Sequence, residues 1–303
     1  MNASQRAGVL ALLVVTALWG LSFPTIGGVV GGRSLGDLVA FLALRFGLAT
    51  IAFAPVLRRW WPELSTAGRS AWLFAAFIGL LNFLSYALQT VGLQYTTPGR
   101  SAFITMLSVP LVPFVSAALA RRRPSWIHVA GALVSLIGLG FILAPDGELQ
   151  PNVGDLLTFG CAVAYCFVIV FLERATRRHP VSVVTIGQIA TVALYASPAL
   201  VLLPAGRLVE WDGLGRAVLI TGLLCTTLAL GLMTWACARV SAEVAAILFA
   251  LEPLWAVFFE WLFWDGTFSG WQWLGAVIVI AAVVIASRAP VPEATTPADA
   301  SSG

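Results

Sequence analysis

The chain has few charged residues and no lysine at all. Charged residues make up 10% of its 303 positions, whereas hydrophobic residues make up 59%. A soluble domain carries roughly 25% charged residues, so the scarcity of charge excludes a water-soluble fold and predicts a polytopic membrane protein. The net charge of +3 does not form a basic stripe with interleaved aromatics, so we expect no nucleic-acid partner.

Histidine and cysteine are also scarce, which argues against catalysis and metal binding. Neither His128 nor His179 has a nucleophile partner in a recognisable motif. Zincin pairs, phosphate loops and nucleophile elbows are missing from the sequence. The cysteine spacing matches neither a zinc site nor a disulfide framework. We therefore expect no enzyme activity, no metal and no cofactor, and we interpret four residues as small thiols in helix contacts: Cys161, Cys166, Cys225 and Cys237.

Long hydrophobic runs are what the sequence does contain. A helix needs about 20 apolar residues to cross the hydrocarbon core of a bilayer. The runs predict an all-α membrane protein with ten transmembrane helices and short connections. The predicted spans are Ala7–Ile26, Leu38–Leu57, Trp72–Leu93, Ala102–Ala120, Trp126–Leu143, Leu156–Leu172, Val181–Leu203, Ala217–Ala236, Ala242–Phe263 and Trp271–Ala286.

The hydrophobic pattern starts over near the middle of the chain. Gly79–Leu81 recurs at Gly222–Leu224, and Pro110–Leu111 recurs at Pro253–Leu254, both at an offset of 143. A fixed offset near half the length indicates two copies of one unit. Five spans per copy is an odd number, so the second copy enters the membrane inverted. Inverted repeats around a central cavity are typical of secondary transporters, which bind substrate where the repeats meet.

We assign residues 7–144 to the first repeat, 154–287 to the second, and 288–303 to a disordered cytoplasmic tail. The arginines predict the orientation, because basic residues accumulate in cytoplasmic loops. Twelve arginines fall on the side of the two termini and four on the other. We therefore expect a multi-pass protein of the bacterial inner (plasma) membrane with both termini in the cytoplasm.

Polar side chains inside the spans are costly in hydrocarbon and tend to face the interior of the bundle. Asn82, Ser85, Tyr86 and Gln89 follow the spacing that gathers side chains on one helix face. Such residues either form hydrogen bonds between helices or line a cavity, and we favour a cavity for the face with the three large side chains. Similar faces contain Ser101, Thr105 and Ser108, then Thr158, Cys161 and Tyr165, then Thr16, Trp19 and Phe23.

The two repeats differ at these positions. By the offset of 143, Tyr86 corresponds to Ala229 and Gln89 to Leu232. One wall of a central cavity is then polar, and the facing wall is apolar and aromatic. We predict that such a site accepts an amphipathic solute with a zwitterionic head.

Of the charged residues inside predicted spans, which also include Glu260, two are candidate functional groups. Arg45 is in the middle of the second span, and Glu252 precedes Pro253, where we expect a helix kink. Each is interpreted either as a structural charge or as a group that couples transport to a proton gradient.

Several short motifs resemble the drug/metabolite transporter superfamily, specifically ten-helix exporters built from two EamA domains. They are Ala17–Gly20, Gly92–Thr96, Leu251–Leu254 and Trp271–Gly275. The resemblance implies a cavity lined by helices 1, 3, 4, 6, 8 and 9, with helices 5 and 10 peripheral. It also implies export of amino acids and related metabolites, including aromatic and other hydrophobic amino acids.

Together these observations predict a monomeric secondary transporter that exports small amphipathic metabolites, most of all amino acids, by alternating access. A broad-specificity drug or toxic-metabolite exporter is the alternative within transport, and a membrane sensor or scaffold is a more remote one. Proton coupling, facilitated diffusion and exchange all stay open. The predicted substrate-binding residues are Trp19, Asn82, Ser85, Tyr86, Gln89, Ser101, Thr105 and Tyr165.

Overall fold

The computed structural model describes residues 3–119, 121, 123–124, 126–144, 150–202, 213–240, 245, 248–249 and 251–287. These residues form helices and contain no β-strand. The elements are α1 (Ala3–Val30), α2 (Leu35–Ala52), α3 (Ala54–Thr66), α4 (Arg69–Gly92), α5 (Pro98–Met106), α6 (Ser108–Leu119), α7 (Trp126–Ile142), α8 (Val153–Arg178), α9 (Val181–Ala196), α10 (Pro198–Leu202), α11 (Leu214–Leu219), a π-helical segment (Ile220–Leu228), α12 (Ala229–Cys237), α13 (Glu252–Trp264) and α14 (Gly270–Ser287).

Within the described residues, seven helical segments are long and apolar enough to cross a membrane. They correspond to the first four predicted spans and to the sixth, seventh and eighth. Two shorter apolar helices, Val129–Ile142 and Gly270–Ala282, coincide with the fifth and tenth. The ninth, Ala242–Phe263, lies partly outside the described residues, and α13 forms its second half. The tail 288–303, for which we predict disorder, lies outside them as well.

Two proline-containing segments are broken at equivalent places. The turn at Leu107 separates α5 from α6, three residues before Pro110. A second turn at Leu251 precedes Pro253, and α13 begins between them. The sequence predicts a kink inside a continuous helix here, whereas the structure starts a new helix. Proline is well tolerated in the first turn of a helix, where no N–H donor is needed.

The span that contains α11 and α12 is interrupted by the π-helical segment. Its hydrogen-bond register is one residue wider than that of an α-helix. The hydroxyls of Thr226 and Thr227 donate across the same interval, to the carbonyls of Thr221 and Gly222, each at 2.8 Å. π-Helical segments are rare and frequently occur at functional sites.

The packing of the central helices positions the residues that line the cavity. α1 packs against the π-helical segment, α12 and α13, while α4 packs against α8 and α9. α2 lies against α9 and the π-helical segment. α7 and α14 pack chiefly on each other and expose large apolar side chains, including Leu133, Ile137 and Val277. Lipid tails are as apolar as these side chains, so such exposure suits a bilayer.

The α7–α14 crossing depends on two glycines. A Cβ added at Gly138 would lie 2.8 Å from the carbonyl oxygen of Gly275. A Cβ added at Gly275 would lie 2.8 Å from the Cβ of Phe141. Glycine therefore allows a backbone approach that any larger residue prevents.

We predict that Gly138→Ala destabilises the protein by about 1–3 kcal/mol, as overpacking does in other well-packed contacts. The matched control is Gly140→Ala in the same helix, where an added Cβ meets no atom within 4 Å. Thermal unfolding of the purified protein in detergent measures both variants. Equal melting temperatures for the two variants would contradict the close crossing.

Candidate functional site

A central cavity lies between five helices. Its empty volume is about 330 Å³, including space continuous with solvent. Six of the eight predicted substrate-binding residues lie in its wall. Among the described residues, the lining is Trp19 and Ser22 from α1, Ser85, Tyr86 and Gln89 from α4, Thr105 from α5, Cys161 and Tyr165 from α8, and Glu252 from α13.

The polar wall of the cavity is held by hydrogen bonds between neighbouring helices. Gln89 donates from Nε2 to Thr105 Oγ1 at 3.3 Å, which joins α4 to α5. The Ser85 hydroxyl lies 3.2 Å from Cys161 Sγ, which joins α4 to α8. These bonds orient an amide and a hydroxyl at the cavity, and each retains hydrogen-bonding capacity for a ligand.

Aromatic side chains form another part of the wall. The Trp19 indole meets Tyr165 edge to face, with ring centroids 5.9 Å apart, and lies 5.6 Å from the ring of Phe249. Trp19 Nε1 donates to the carbonyl oxygen of Cys225 at 3.0 Å, so the π-helical segment fixes the indole. The Tyr165 hydroxyl lies 3.8 Å from Met233 Sδ. A hydrophobic side chain of a ligand would pack well on these rings.

Glu252 supplies the carboxylate of the cavity lining. It is half-buried and belongs to the first turn of α13, directly after the break at Leu251. No hydrogen bond or ion pair joins its carboxylate to another residue of the described ranges. Thr105 lies two residues before the equivalent break in the first half. The cavity therefore lies beside both broken helices, the arrangement that transporters use around substrate sites.

Two of the predicted residues are not part of the cavity lining. Asn82 donates from Nδ2 to Gln188 Oε1 at 2.9 Å, and Gln188 donates onward to Thr234 at 3.0 Å. Ser101 lies 3.3 Å from the hydroxyl of Thr158. Asn82 and Ser101 therefore form hydrogen bonds between helices. A polar helix face is wider than the cavity it borders, so only some of its side chains reach the cavity.

Arg45 is also absent from the lining and lies behind it. Its Nε donates to Thr226 Oγ1 at 2.7 Å. Its Cζ lies 5.0 Å from the ring centroid of Tyr86, which does line the cavity.

Two lining residues are missing from the sequence-based set. Ser22 lies one helical turn after Trp19, so the same spacing rule would have found it. Its hydroxyl donates to the Trp19 carbonyl at 2.7 Å. Cys161 is interpreted from the sequence as a packing thiol, because buried free cysteine usually behaves so. It shares a helix face with Tyr165, and its thiol contacts Ser85 at the cavity.

A polar network joins the two halves at one end of the bundle. Arg100 forms a 2.6 Å ion pair with Asp155, and the Thr96 hydroxyl donates to the other oxygen of that carboxylate at 2.6 Å. Nearby, the backbone N–H of Gly99 donates to Glu260 at 2.7 Å. These contacts fasten α5 to α8 and α13 at the end of the bundle where α5 and α8 begin.

Comparison with known proteins shows similarity to membrane transporters. The sequence profile of the EamA-like transporter family matches this chain twice, at residues 6–144 and 152–288. A protein of Archaeoglobus fulgidus named as an uncharacterized transporter is 27% identical over 278 residues, covering 92% of this chain and 85% of that protein. The biotin transporter of Escherichia coli K12 is 29% identical over 131 residues, covering 43% of this chain and 42% of its own length.

A solved crystal structure shares the fold. It aligns with a TM-score of 0.67 over 93% of this chain and 96% of its own, at 20% sequence identity.

We predict that Asp155→Asn destabilises the protein by about 3–5 kcal/mol, because it leaves the Arg100 guanidinium buried without its counter-charge. The control is Glu173→Gln, which removes an exposed pair with Arg177 and should change stability by less than about 1 kcal/mol. Thermal unfolding in detergent compares the two. An Asp155→Asn protein that melts like the control would show that the buried pair does not stabilise the fold.

Proposed function

The chain belongs to the EamA-like transporter family, and from this premise we propose that it exports small amphipathic metabolites, above all amino acids with hydrophobic or aromatic side chains. The family resemblance seen in the sequence is thereby confirmed. The protein is a multi-pass membrane transporter for a small-molecule substrate and not an enzyme. We propose the bacterial inner membrane as its location, with both termini in the cytoplasm and a single chain as the working unit.

We further propose that ten helices form two inverted repeats that alternate in exposing the cavity to the two sides. The contacts between halves support this. α4 of the first half packs on α8 of the second half. In the same way, the π-helical segment and α12 of the second half pack on α1 of the first half. Exchanging the two halves therefore converts one pairing into the other. The broken helix of the first half, α5 and α6, packs on α8. Its equivalent in the second half, α13, packs on α1. A pairing pattern that survives the exchange is what a two-fold repeat requires.

One observation carries the substrate proposal: amide, hydroxyl and carboxylate groups share a cavity with Trp19 and Tyr165. In this proposal Gln89 and Thr105 bind the polar head of an amino acid. Glu252 binds its ammonium group, and the aromatic rings hold its side chain.

A second candidate comes from the relatives named as biotin transporters, which match about half of the chain. Biotin is a neutral bicyclic ring on a carboxylate tail, so it is also amphipathic. It lacks the ammonium group that Glu252 would bind, and this difference separates the two candidates.

The test is transport by the purified full-length protein in proteoliposomes. We expect flux of labelled phenylalanine and leucine to exceed that of ethidium, an organic cation, and that of biotin. Preferred transport of ethidium would replace the proposal with a broad drug exporter, and preferred transport of biotin would favour the second candidate.

Gln89→Leu should lower phenylalanine flux by about 2- to 10-fold, the factor expected for one lost hydrogen bond. Leu84→Ala in the same helix, whose side chain is exposed, serves as the control and should retain wild-type flux. Unchanged flux in Gln89→Leu would remove that amide from the site.

We propose that transport runs down the solute gradient and that Glu252 binds substrate rather than carrying protons. Wild-type phenylalanine flux should therefore persist after a protonophore collapses the proton gradient. Glu252→Gln should reduce flux of phenylalanine about tenfold or more, while flux of 3-phenylpropionate, which has no ammonium group, should not fall. Wild-type flux that stops with the gradient, together with gradient-independent flux in Glu252→Gln, would assign the carboxylate to proton coupling instead.

A further inference from the structure

Arg45 is a buried cation whose hydrogen-bonding groups are largely unused. The residue is 1% exposed and lies in the middle of α2. Its Nε donates to Thr226, but neither Nη1 nor Nη2 has a hydrogen-bond partner among the described residues. No described carboxylate forms an ion pair with it. Burying a charge is strongly unfavourable unless something compensates it.

Aromatic rings provide only part of that compensation. The guanidinium carbon lies 5.0 Å from the ring centroid of Tyr86 and 5.4 Å from that of Phe46, while the two rings lie 5.0 Å from each other. Ring faces attract a cation, but they do not replace the hydrogen-bond acceptors that Nη1 and Nη2 need. Thr226 in the π-helical segment accepts a hydrogen bond from Nε, which leaves Nη1 and Nη2 as a fork without hydrogen-bond partners among the described residues.

The position of Tyr86 relates this fork to the cavity. Tyr86 lines the cavity and also contacts the guanidinium. Arg45 is therefore one side chain away from the space where substrate would bind. A displacement of the Tyr86 ring would remove the side chain that lies between the guanidinium and this space.

We infer that Arg45 binds the carboxylate of the transported molecule once Tyr86 moves aside. The inference rests on the proposed function and sharpens it, because it requires a substrate that carries a carboxylate. A planar carboxylate accepts two parallel N–H bonds from a guanidinium, a geometry that a lysine ammonium does not offer. In an amino acid, the carboxylate would bind Arg45 behind the cavity wall, and the ammonium would bind Glu252 in the cavity lining.

The test compares each ligand with the same molecule lacking the negative charge. In proteoliposomes, the wild type should transport phenylalanine about 10- to 100-fold faster than phenylalaninamide, the range expected for bonds to a charged group. Arg45→Met should lose this preference while retaining flux of the amide, and Arg45→Lys should keep part of it. Arg177→Met, which alters an arginine that is 70% exposed, should behave as wild type.

A binding measurement on the wild type keeps the inference testable if Arg45→Met does not fold. Benzoate should raise the melting temperature of the detergent-solubilised protein, and benzamide should not. A wild type that shows neither the acid–amide preference nor the benzoate effect overturns the inference. The same holds if Arg45→Met folds and still prefers the acid, which would leave Arg45 as a structural charge.

Failure of the proposed function gives a different result. If benzoate stabilises the wild type but not Arg45→Met, while no amino acid is transported, the carboxylate site stands and the amino-acid proposal falls. If amino acids are transported with equal rates for acid and amide, the transport proposal stands and the carboxylate site falls.

Discussion

An unpaired polar atom in the hydrocarbon region of a membrane is strongly unfavourable, because no water is available there. This constraint explains where the polar side chains of the bundle lie. Asn82 bonds to Gln188, Gln188 to Thr234, and Ser101 contacts Thr158. Each of these bonds joins two helices, so the groups that are costly to bury also fix the helix packing around the cavity.

The same constraint accounts for the irregular backbone near the cavity. Turns at Leu107 and Leu251 and the π-helical segment leave carbonyl groups without regular helical partners, which is tolerable only inside the protein or at a water-filled cavity. The π-helical segment uses the Cys225 carbonyl to hold Trp19 and the Thr226 hydroxyl to hold Arg45. Backbone irregularity thus positions two of the large side chains at and behind the cavity.

Sequence reasoning predicts the helical class and much of the lining of the candidate site because both depend on local patterns. Apolar run length identifies the spans, and the spacing of Ser85, Tyr86 and Gln89 places them on one face. What spacing does not supply is the distance between helices. Spacing therefore cannot distinguish Gln89, which lines the cavity, from Asn82. Asn82 lies two turns earlier in the same helix and forms a hydrogen bond to α9. The sequence also does not predict the start of a new helix near Pro253, because proline is compatible with both a helix kink and the first turn of a helix.

The two halves contribute equivalent positions with different chemistry. At the offset of 143, Ser22 corresponds to Tyr165, and both line the cavity. Tyr86 and Gln89 of the first half correspond to Ala229 and Leu232, which are not in the lining. Under the proposed alternating access, the two halves would exchange conformations while their backbones stay related by the repeat. Dissimilar side chains give the cavity a polar wall and an aromatic wall, which in that proposal would hold an amphipathic ligand in one orientation throughout the cycle.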